Sequence, residues 1–260
     1  MKKIKIGIFG PGGRMGRDII HQIKKFESLE LTALCENEGH PLVGKKISNI
    51  NVTDNITILI KNSEVIIDFT TPLGTIKLLK SMNEEDNSAA LITGTTGYTQ
   101  DQEKSFSYLI HGKTILRSFN MSIGISLLKN IVKLASKTVG EFSDVEITEI
   151  HHNKKKDIPS GTSISLAESV NEGNSKLSDF AYREKNNNKL RNKNEIGFSS
   201  IRGGDIIGEH TVFFFLDGER LELKHIASSR SVFSLGALNA AIWISKKKPG
   251  LYSIMDMIES

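Results

Sequence analysis

The sequence predicts an α/β protein: a doubly wound parallel sheet joined to a second, α+β domain built on a mixed open sheet. Three observations carry that expectation. Short β-branched runs alternate with helically periodic stretches from Ile4 to Leu116, and such alternation specifies right-handed crossovers between parallel strands. A glycine-rich turn, Gly10-Pro11-Gly12-Gly13-Arg14-Met15-Gly16, separates the first run from the first helical stretch. After Asn120 the texture changes to one long amphipathic helix and then mostly strand, which places a domain boundary near Ser122.

The elements follow in order. Ile4, Ile6, Ile8 and Phe9 form a buried strand that stops at the glycines, as parallel strands do before a turn. From Arg14 the period becomes helical, through Met15, Ile19, Ile23 and Phe26. A second strand spans Leu31 to Glu36 and a third Val65 to Phe69, followed by the turn signal Thr71-Pro72 and a helix through Ile76 and Leu79. Ala89 to Ile92 is a strand running into Gly94-Thr95-Thr96-Gly97, Gln100 to His111 a helix, and Thr114 to Leu116 another strand.

Beyond the boundary, Ile123, Leu127, Leu128, Ile131 and Leu134 mark the long helix. Val145 to His151 reads as a strand, Ser160 to about Val170 as a helix, and the polar stretch Asn171 to Asn194 as loop with little core. His210 to Leu216 and Arg220 to His225 flank Asp217-Gly218, a signal for a type I′ hairpin turn. Phe213-Phe214-Phe215 breaks the alternation of a sheet with one wet face, so both faces are expected to be covered, one by helices and the other by a further subunit. Leu235 to Ile244, with Trp243, is apolar enough to dock as a helix.

Composition narrows the class. The chain has 260 residues, 38% hydrophobic and 25% charged, the make-up of an ordinary packed protein. Met1 to Ile6 lacks the apolar run of a signal peptide, and no segment approaches the ~18 apolar residues of a membrane span. The single Cys35 sits in an apolar run and reads as a buried structural thiol, consistent with a cytoplasmic location. A net charge of +4 spread along the chain does not call for nucleic acid.

The glycine turn lies between a buried strand and an amphipathic helix, where glycine permits close backbone approach and the free amides of the helix start face an anion. Its spacing departs by one residue from the strict G-x-G-x-x-G pattern. Glu36, 20 residues after Gly16, stands where a carboxylate binds the adenosine ribose. Together they predict a Rossmann-like nucleotide-binding domain with Gly10 to Gly16 and Glu36 in the site. A glycine turn that only packs a helix onto a strand, or a ligand without nicotinamide, are the alternatives. Gly94, Thr95 and Thr96 close a strand at the same sheet edge, although a small-residue loop alone is weak support.

The densest polar cluster runs from Glu149 through His151-His152-Asn153-Lys154-Lys155-Lys156-Asp157-Ile158-Pro159-Ser160-Gly161-Thr162. It gathers two proton-transfer candidates, several cations and a helix start. Adjacent histidines on a strand point to opposite faces, and no cysteine or third histidine lies nearby in sequence, so no metal is expected. A solvated lysine loop with Ser160 as a plain N-cap is the bland alternative.

The run His-His-x-x-Lys-Lys-Asp-x-Pro-Ser-Gly-Thr resembles the signature of dihydrodipicolinate reductases. Counterparts of that family's other segments stand in order at Gly10 to Gly16, Asp68-Phe69-Thr70, Gly94 to Gly97, Gly208-Glu209-His210-Thr211 and Ala227-Ser228-Ser229-Arg230. The resemblance implies a cofactor domain of residues 1–122 completed by 232–260, and a substrate-binding domain of residues 123–231 whose sheet builds a homotetramer, with a hinge between them. It implies hydride transfer from NADH or NADPH to an unsaturated cyclic dicarboxylate. His151 matches the proton donor, Lys155 a second catalytic cation, and His152, Gly161 and Thr162 the substrate contacts. Ser118, Phe119, Asn120 and Met121 match a loop near the nicotinamide.

Two positions depart from the family. Asn37 follows Glu36 where many bacterial members have an arginine suited to a 2′-phosphate, which tilts the expectation toward NADH, although Arg14 or Lys45 can still reach a phosphate. Ser126 replaces an asparagine. Rival expectations are another reductase sharing the nucleotide half, such as an aspartate or homoserine-type dehydrogenase, and a non-catalytic NAD sensor that would need no acid at position 151.

Overall fold

The computed structural model describes residues 2–182 and 190–260 and divides into two compact units, Met1–Ile123 with Ser231–Ser260, and Gly124–Arg230. In the first unit, strands β1 (Ile4–Phe9), β2 (Leu29–Cys35), β3 (Lys46–Ile47), β4 (Ile50–Thr53), β5 (Val65–Asp68), β6 (Ala90–Thr93), β7 (Thr114–Arg117) and β13 (Gly250–Tyr252) form one sheet. Their order is β13-β7-β6-β5-β1-β2-β4-β3. All pairings are parallel except the β3–β4 hairpin at one edge.

The strands of this sheet are apolar on both faces because both are covered. Along β5, Val65 and Ile67 enter one core and Ile66 the other. Helices α1 (Arg14–Gln22) and α7 (Ser231–Ile244) cover the first face, supplying Ile19, Ile20, Ala237 and Leu238. Helices α2 (Ile56–Lys61), α3 (Pro72–Glu84) and α4 (Gln100–Leu109) cover the second with Leu59, Ile60, Leu79 and Phe106. Cys35 is fully buried there, and burial pushes its thiol up to about 12.

The second unit holds α5 (Ile123–Val139) from Gly124 onward, α6 (Gly161–Gly173) and strands β8 (Asp144–His151), β9 (Asp179–Tyr182), β10 (Glu195–Arg202), β11 (Gly208–Leu216) and β12 (Glu219–Ala227). The sheet order is β12-β11-β8-β10-β9, with β8, β10 and β9 parallel and β11 and β12 antiparallel, so the sheet is mixed and open. Val145, Ile147, Ile196, Phe198, Val212 and Phe214 pack with α5 and α6 on its covered face.

Two expectations need correction. The polar stretch from Asn171 is not all loop: α6 continues to Gly173, Leu177 is buried, and Asp179–Tyr182 pairs with β10; residues 183–189 of that stretch lie outside the described ones. The Asp217-Gly218 turn is not type I′, because only Gly218 has positive φ, at 81°, which is the type II pattern. Both central residues have positive φ instead at Ser48 (49°) and Asn49 (66°), in the β3–β4 hairpin. On the second face of the β8–β12 sheet, where the sequence points to a further subunit, Phe215, Ile201 and Ile226 are exposed and Phe213 is half-buried in the single chain. No helix among the described residues is long and apolar enough to cross a membrane.

Candidate active site

Residues expected to act fall in both units, and each set is built by its own sheet. In the first, the candidate cofactor residues follow the carboxyl ends of neighbouring strands: Gly10 to Gly16 after β1, Glu36 and Asn37 after β2, Gly94 to Thr96 after β6, and Ser118 to Met121 after β7. Ligands of open parallel sheets bind at that edge. Gly10 has φ +84°, a conformation open to glycine at little cost. A Cβ on Gly16 would collide with the Gly10 carbonyl oxygen and come within 2.7 Å of Pro11 Cα, so only glycine lets α1 start this close to the turn.

No side chain caps the N-terminus of α1, whose cap residue is Gly13. The amides there remain suited to an anion. Glu36 is buried, and its Oε1 accepts from the Gly12 amide at 2.6 Å. His40, which sequence reasoning passed over, stands at the same place: a Cβ on Gly12 would lie 2.8 Å from both Glu36 Oε1 and His40 Cε1. Pro11 is buried, Met15 is half-buried, and Arg14 and Asn37 are exposed.

Asp68, which the sequence showed only as part of a motif, ties the adjacent loops together. Its fully buried carboxylate accepts from the Thr70 amide at 2.9 Å and from the hydroxyls of Thr70 (2.6 Å), Thr93 (3.0 Å), Thr95 (3.3 Å) and Thr75. Burial raises its pKa against those hydrogen bonds. The 118–121 loop is held from within: Ser118 Oγ donates to the Asn120 carbonyl at 2.7 Å, and Asn120 Oδ1 accepts from the Ser122 amide at 2.9 Å. Met121 is buried, whereas Phe119 is exposed and carries the Arg117 guanidinium 5.0 Å from its ring centre.

In the second unit, strand pairing generates a site that spacing alone could not show. Residues two apart on a strand share a face, so Val145, Ile147, Glu149 and His151 line the covered face of β8 in sequence. The register sets Ile196 and Phe214 beside Val145, Phe198 and Val212 beside Ile147, Ser200 and His210 beside Glu149, and Arg202 beside His151. The face is apolar for two layers and polar for the next two.

Glu149 is central to the polar layers. One of its oxygens meets His151 Nδ1, and the other accepts from Arg202 NH2 at 2.6 Å. Burial would raise its pKa, but hydrogen bonds from Arg202 and Ser200 and the nearby His151 outweigh this and hold it below the usual carboxylate range. His151 is lowered, first by burial and partly by the charges of Lys155 and Arg202, with Glu149 opposing. His210 sits edge-on to His151 with ring centres 5.1 Å apart, donates to or accepts from Ser160 Oγ at 3.0 Å, and is pushed down to about 3, first by burial.

No third histidine lies nearby in sequence, but β11 brings His210, 59 positions beyond His151, next to Glu149 and His151 in space. Glu149, His151 and His210 present ligand-type atoms within 4.8 Å of one another. Both Glu149 oxygens are already engaged, so a cation there would have to displace Arg202 or His151.

Lys155 reaches Asp157 Oδ2 at 2.7 Å. His152 leaves the buried layer; its Nδ1 accepts from the Lys154 amide at 3.2 Å. Ser160 caps α6 by accepting from the Ser163 amide at 3.2 Å, and Gly161 and Thr162 open that helix. Ser160 is thus both the N-cap of α6 and a hydrogen-bond neighbour of His210.

Two family models match the chain: dihydrodipicolinate reductase, N-terminus, over residues 4–121, and dihydrodipicolinate reductase, C-terminus, over residues 124–258. Relatives called 4-hydroxy-tetrahydrodipicolinate reductase include one from Helicobacter hepaticus, 43% identical across 98% of this chain and 99% of the relative. Another from Campylobacter curvus is 40% identical across 98% and 99%. Among solved structures, a dipicolinate-bound dihydrodipicolinate reductase from Paenisporosarcina sp. TG-14 superposes with a TM-score of 0.77 at 24% identity, over 96% of this chain and 97% of that one. An aspartate dehydrogenase from Thermotoga maritima shares the fold less closely, at a TM-score of 0.51, 14% identity, and 94% and 97% coverage.

Proposed function

The chain belongs to the dihydrodipicolinate reductase family, and on that premise we propose that it reduces 4-hydroxy-tetrahydrodipicolinate to tetrahydrodipicolinate, with loss of water, in the diaminopimelate route of lysine biosynthesis. The observation that carries this reading is the polar end of the second sheet: a buried histidine on a carboxylate, with a lysine on the adjoining loop and the start of α6 beside it, in a chain that matches both halves of the family. An NAD sensor would have no use for such an acid.

A nicotinamide cofactor supplies the hydride when bound. The turn from Gly10 to Gly16 fits its pyrophosphate, since the glycine-only approach and the uncapped start of α1 leave backbone amides for an anion. Gly94, Thr95, Thr96 and Ser118 to Met121 are assigned to the nicotinamide end. Hydride addition to the conjugated substrate drives negative charge away from the attacked carbon, and His151 delivers the compensating proton from Nε2. Lys155 offsets the negative charge of the dicarboxylate. His152, Gly161 and Thr162 hold a carboxylate, the last two at the start of α6.

NADH is the favoured cofactor. Its adenosine ribose would hydrogen-bond to Glu36, whose buried negative charge opposes a 2′-phosphate, and Asn37 brings no compensating cation. The exposed apolar residues Phe215, Ile201 and Ile226 on the outer face of the β8–β12 sheet suit a subunit contact, in keeping with a homotetramer.

The experiment is oxidation of NADH and NADPH followed at 340 nm, with substrate formed in situ from pyruvate and aspartate semialdehyde. Substrate-dependent turnover is expected, with higher kcat/KM for NADH. His151→Gln should lose roughly 10²–10⁴ in rate. Cofactor binding without turnover would sink the assigned reaction, and a strong NADPH preference the cofactor choice. Light scattering that finds a stable monomer would remove the tetramer.

A further inference from the structure

We infer that Glu149 and Arg202 are positioning residues, which together make Nε2 of His151 the proton-delivering atom and brace the loop that carries Lys155. The inference rests on the reaction proposed above and adds two residues to it.

The geometry is a chain of contacts. Glu149 and His151 share a face of β8, and Nδ1 of His151 meets a Glu149 oxygen. A carboxylate only accepts hydrogen bonds, so Nδ1 carries hydrogen in either protonation state and Nε2 is left to exchange. Arg202, opposite His151 on β10, donates through NH2 to the other Glu149 oxygen at 2.6 Å and to the Asp157 carbonyl at 2.7 Å. Asp157 in turn accepts from Lys155 Nζ at 2.7 Å. One guanidinium therefore joins the carboxylate behind the acid to the loop bearing the second cation.

The surroundings of Nε2 agree. A Cβ on Gly208 would lie only 3.0 Å from it, so glycine at that position leaves the nitrogen approachable. Stability is a poor reason for the arrangement, because burying an ion pair costs desolvation that an apolar pair avoids. The charged or titratable groups facing His151 are Glu149 from β8, Arg202 from β10, His210 from β11 and Lys155 from the following loop.

The sign of the pH effect follows. A general acid works protonated, so the rate falls as pH rises through the pKa of His151. Glu149 favours the imidazolium. Glu149→Gln should therefore move the high-pH limb of the single-turnover rate to lower pH, by about 1–3 units, and lower the plateau on the order of 10²-fold. Glu149→Asp, which keeps the charge but shortens the reach, should restore the limb while recovering only part of the rate. A purely structural glutamate would reduce active protein and leave the limb in place, and that result would overturn the inference.

If Glu149→Gln does not fold, nitrogen NMR of wild-type protein with labelled histidine decides the matter. A neutral His151 with hydrogen on Nδ1 is expected, and hydrogen on Nε2 would refute the assignment. Wild-type protein that turns over no substrate would instead count against the assigned reaction, and the tautomer would still report where Glu149 places the proton.

Discussion

Acidification from pH 7 to 5 should loosen the second unit through His210. The imidazole is only 5% exposed, and burial, followed by the neighbouring His151, pushes its pKa from 6.5 to about 3. Below 6.5 the unfolded chain takes up a proton that the folded chain refuses. The stability is thus fully present above 6.5 and is lost as pH falls toward about 3. Each pH unit in that window costs about 1.4 kcal/mol, so the 1.5 units down to pH 5 cost about 2 kcal/mol, roughly a 30-fold change in the opening equilibrium. Amide hydrogen exchange along β8 and β11 reads that equilibrium within one unit, free of any assumption that the whole chain unfolds together. His210→Gln keeps a hydrogen-bonding group near Ser160 but cannot titrate, so the excess acid sensitivity should vanish in it. His151 and His225 are also held low by burial and act in the same direction in both proteins, so they cancel in the comparison. Equal pH slopes for wild type and variant would refute the account.

Gly16→Ala would force α1 away from the Gly10 carbonyl, costing about 1–3 kcal/mol; a lower melting temperature and weakened NADH binding in a fluorescence titration are expected, and unchanged affinity would contradict the close-approach argument. Asp68→Asn replaces an all-acceptor hub with one that turns an amide toward threonine hydroxyls, and at about 1–3 kcal/mol for each unsatisfied group the melting temperature should fall by several degrees. Cys35, with its thiol raised to about 12, should resist a thiol-specific disulfide reagent in the native protein and react once denatured; rapid native labelling would show that the β2 core opens.

The parts of the fold written in local pattern were legible. The change of period at Arg14, the Thr71-Pro72 helix start and the alternation from Val145 mark real elements because each depends on neighbours in sequence. The β3–β4 hairpin escaped because Ser48-Asn49 is a weak signal for a turn with two positive φ angles, and the adjoining strands have two and four residues. Asn55 caps α2 through bonds to the Thr57 and Ile58 amides, and the short run behind it is too brief to show a period. In the candidate site, the run from His151 to Thr162 stood out as a polar cluster, and its roles came from the resemblance to the family signature. Arg202 and His210 could not, since their nearness to Glu149 exists only through the β8–β10 and β8–β11 registers. Asp68 was visible as part of a motif, but its four threonines come from two stretches, 70–75 and 93–95.

The return of residues 231–260 to the first sheet has a consequence for how the protein is made. A nascent chain leaving the ribosome at about 5–20 residues per second exposes β1 to β7 while the helix α7 and the edge strand β13 that complete their packing are still unsynthesised. Residues 124–230 emerge in the meantime as a continuous stretch and can fold before the segment encoded ahead of them is finished. For that interval the groove later filled by Ala237, Leu238 and Ala241 is open, and β7 presents an unpaired edge. The waiting half is therefore the one that would draw on chaperones, and slowing translation downstream of residue 230 should lower the yield of soluble protein more than slowing it upstream.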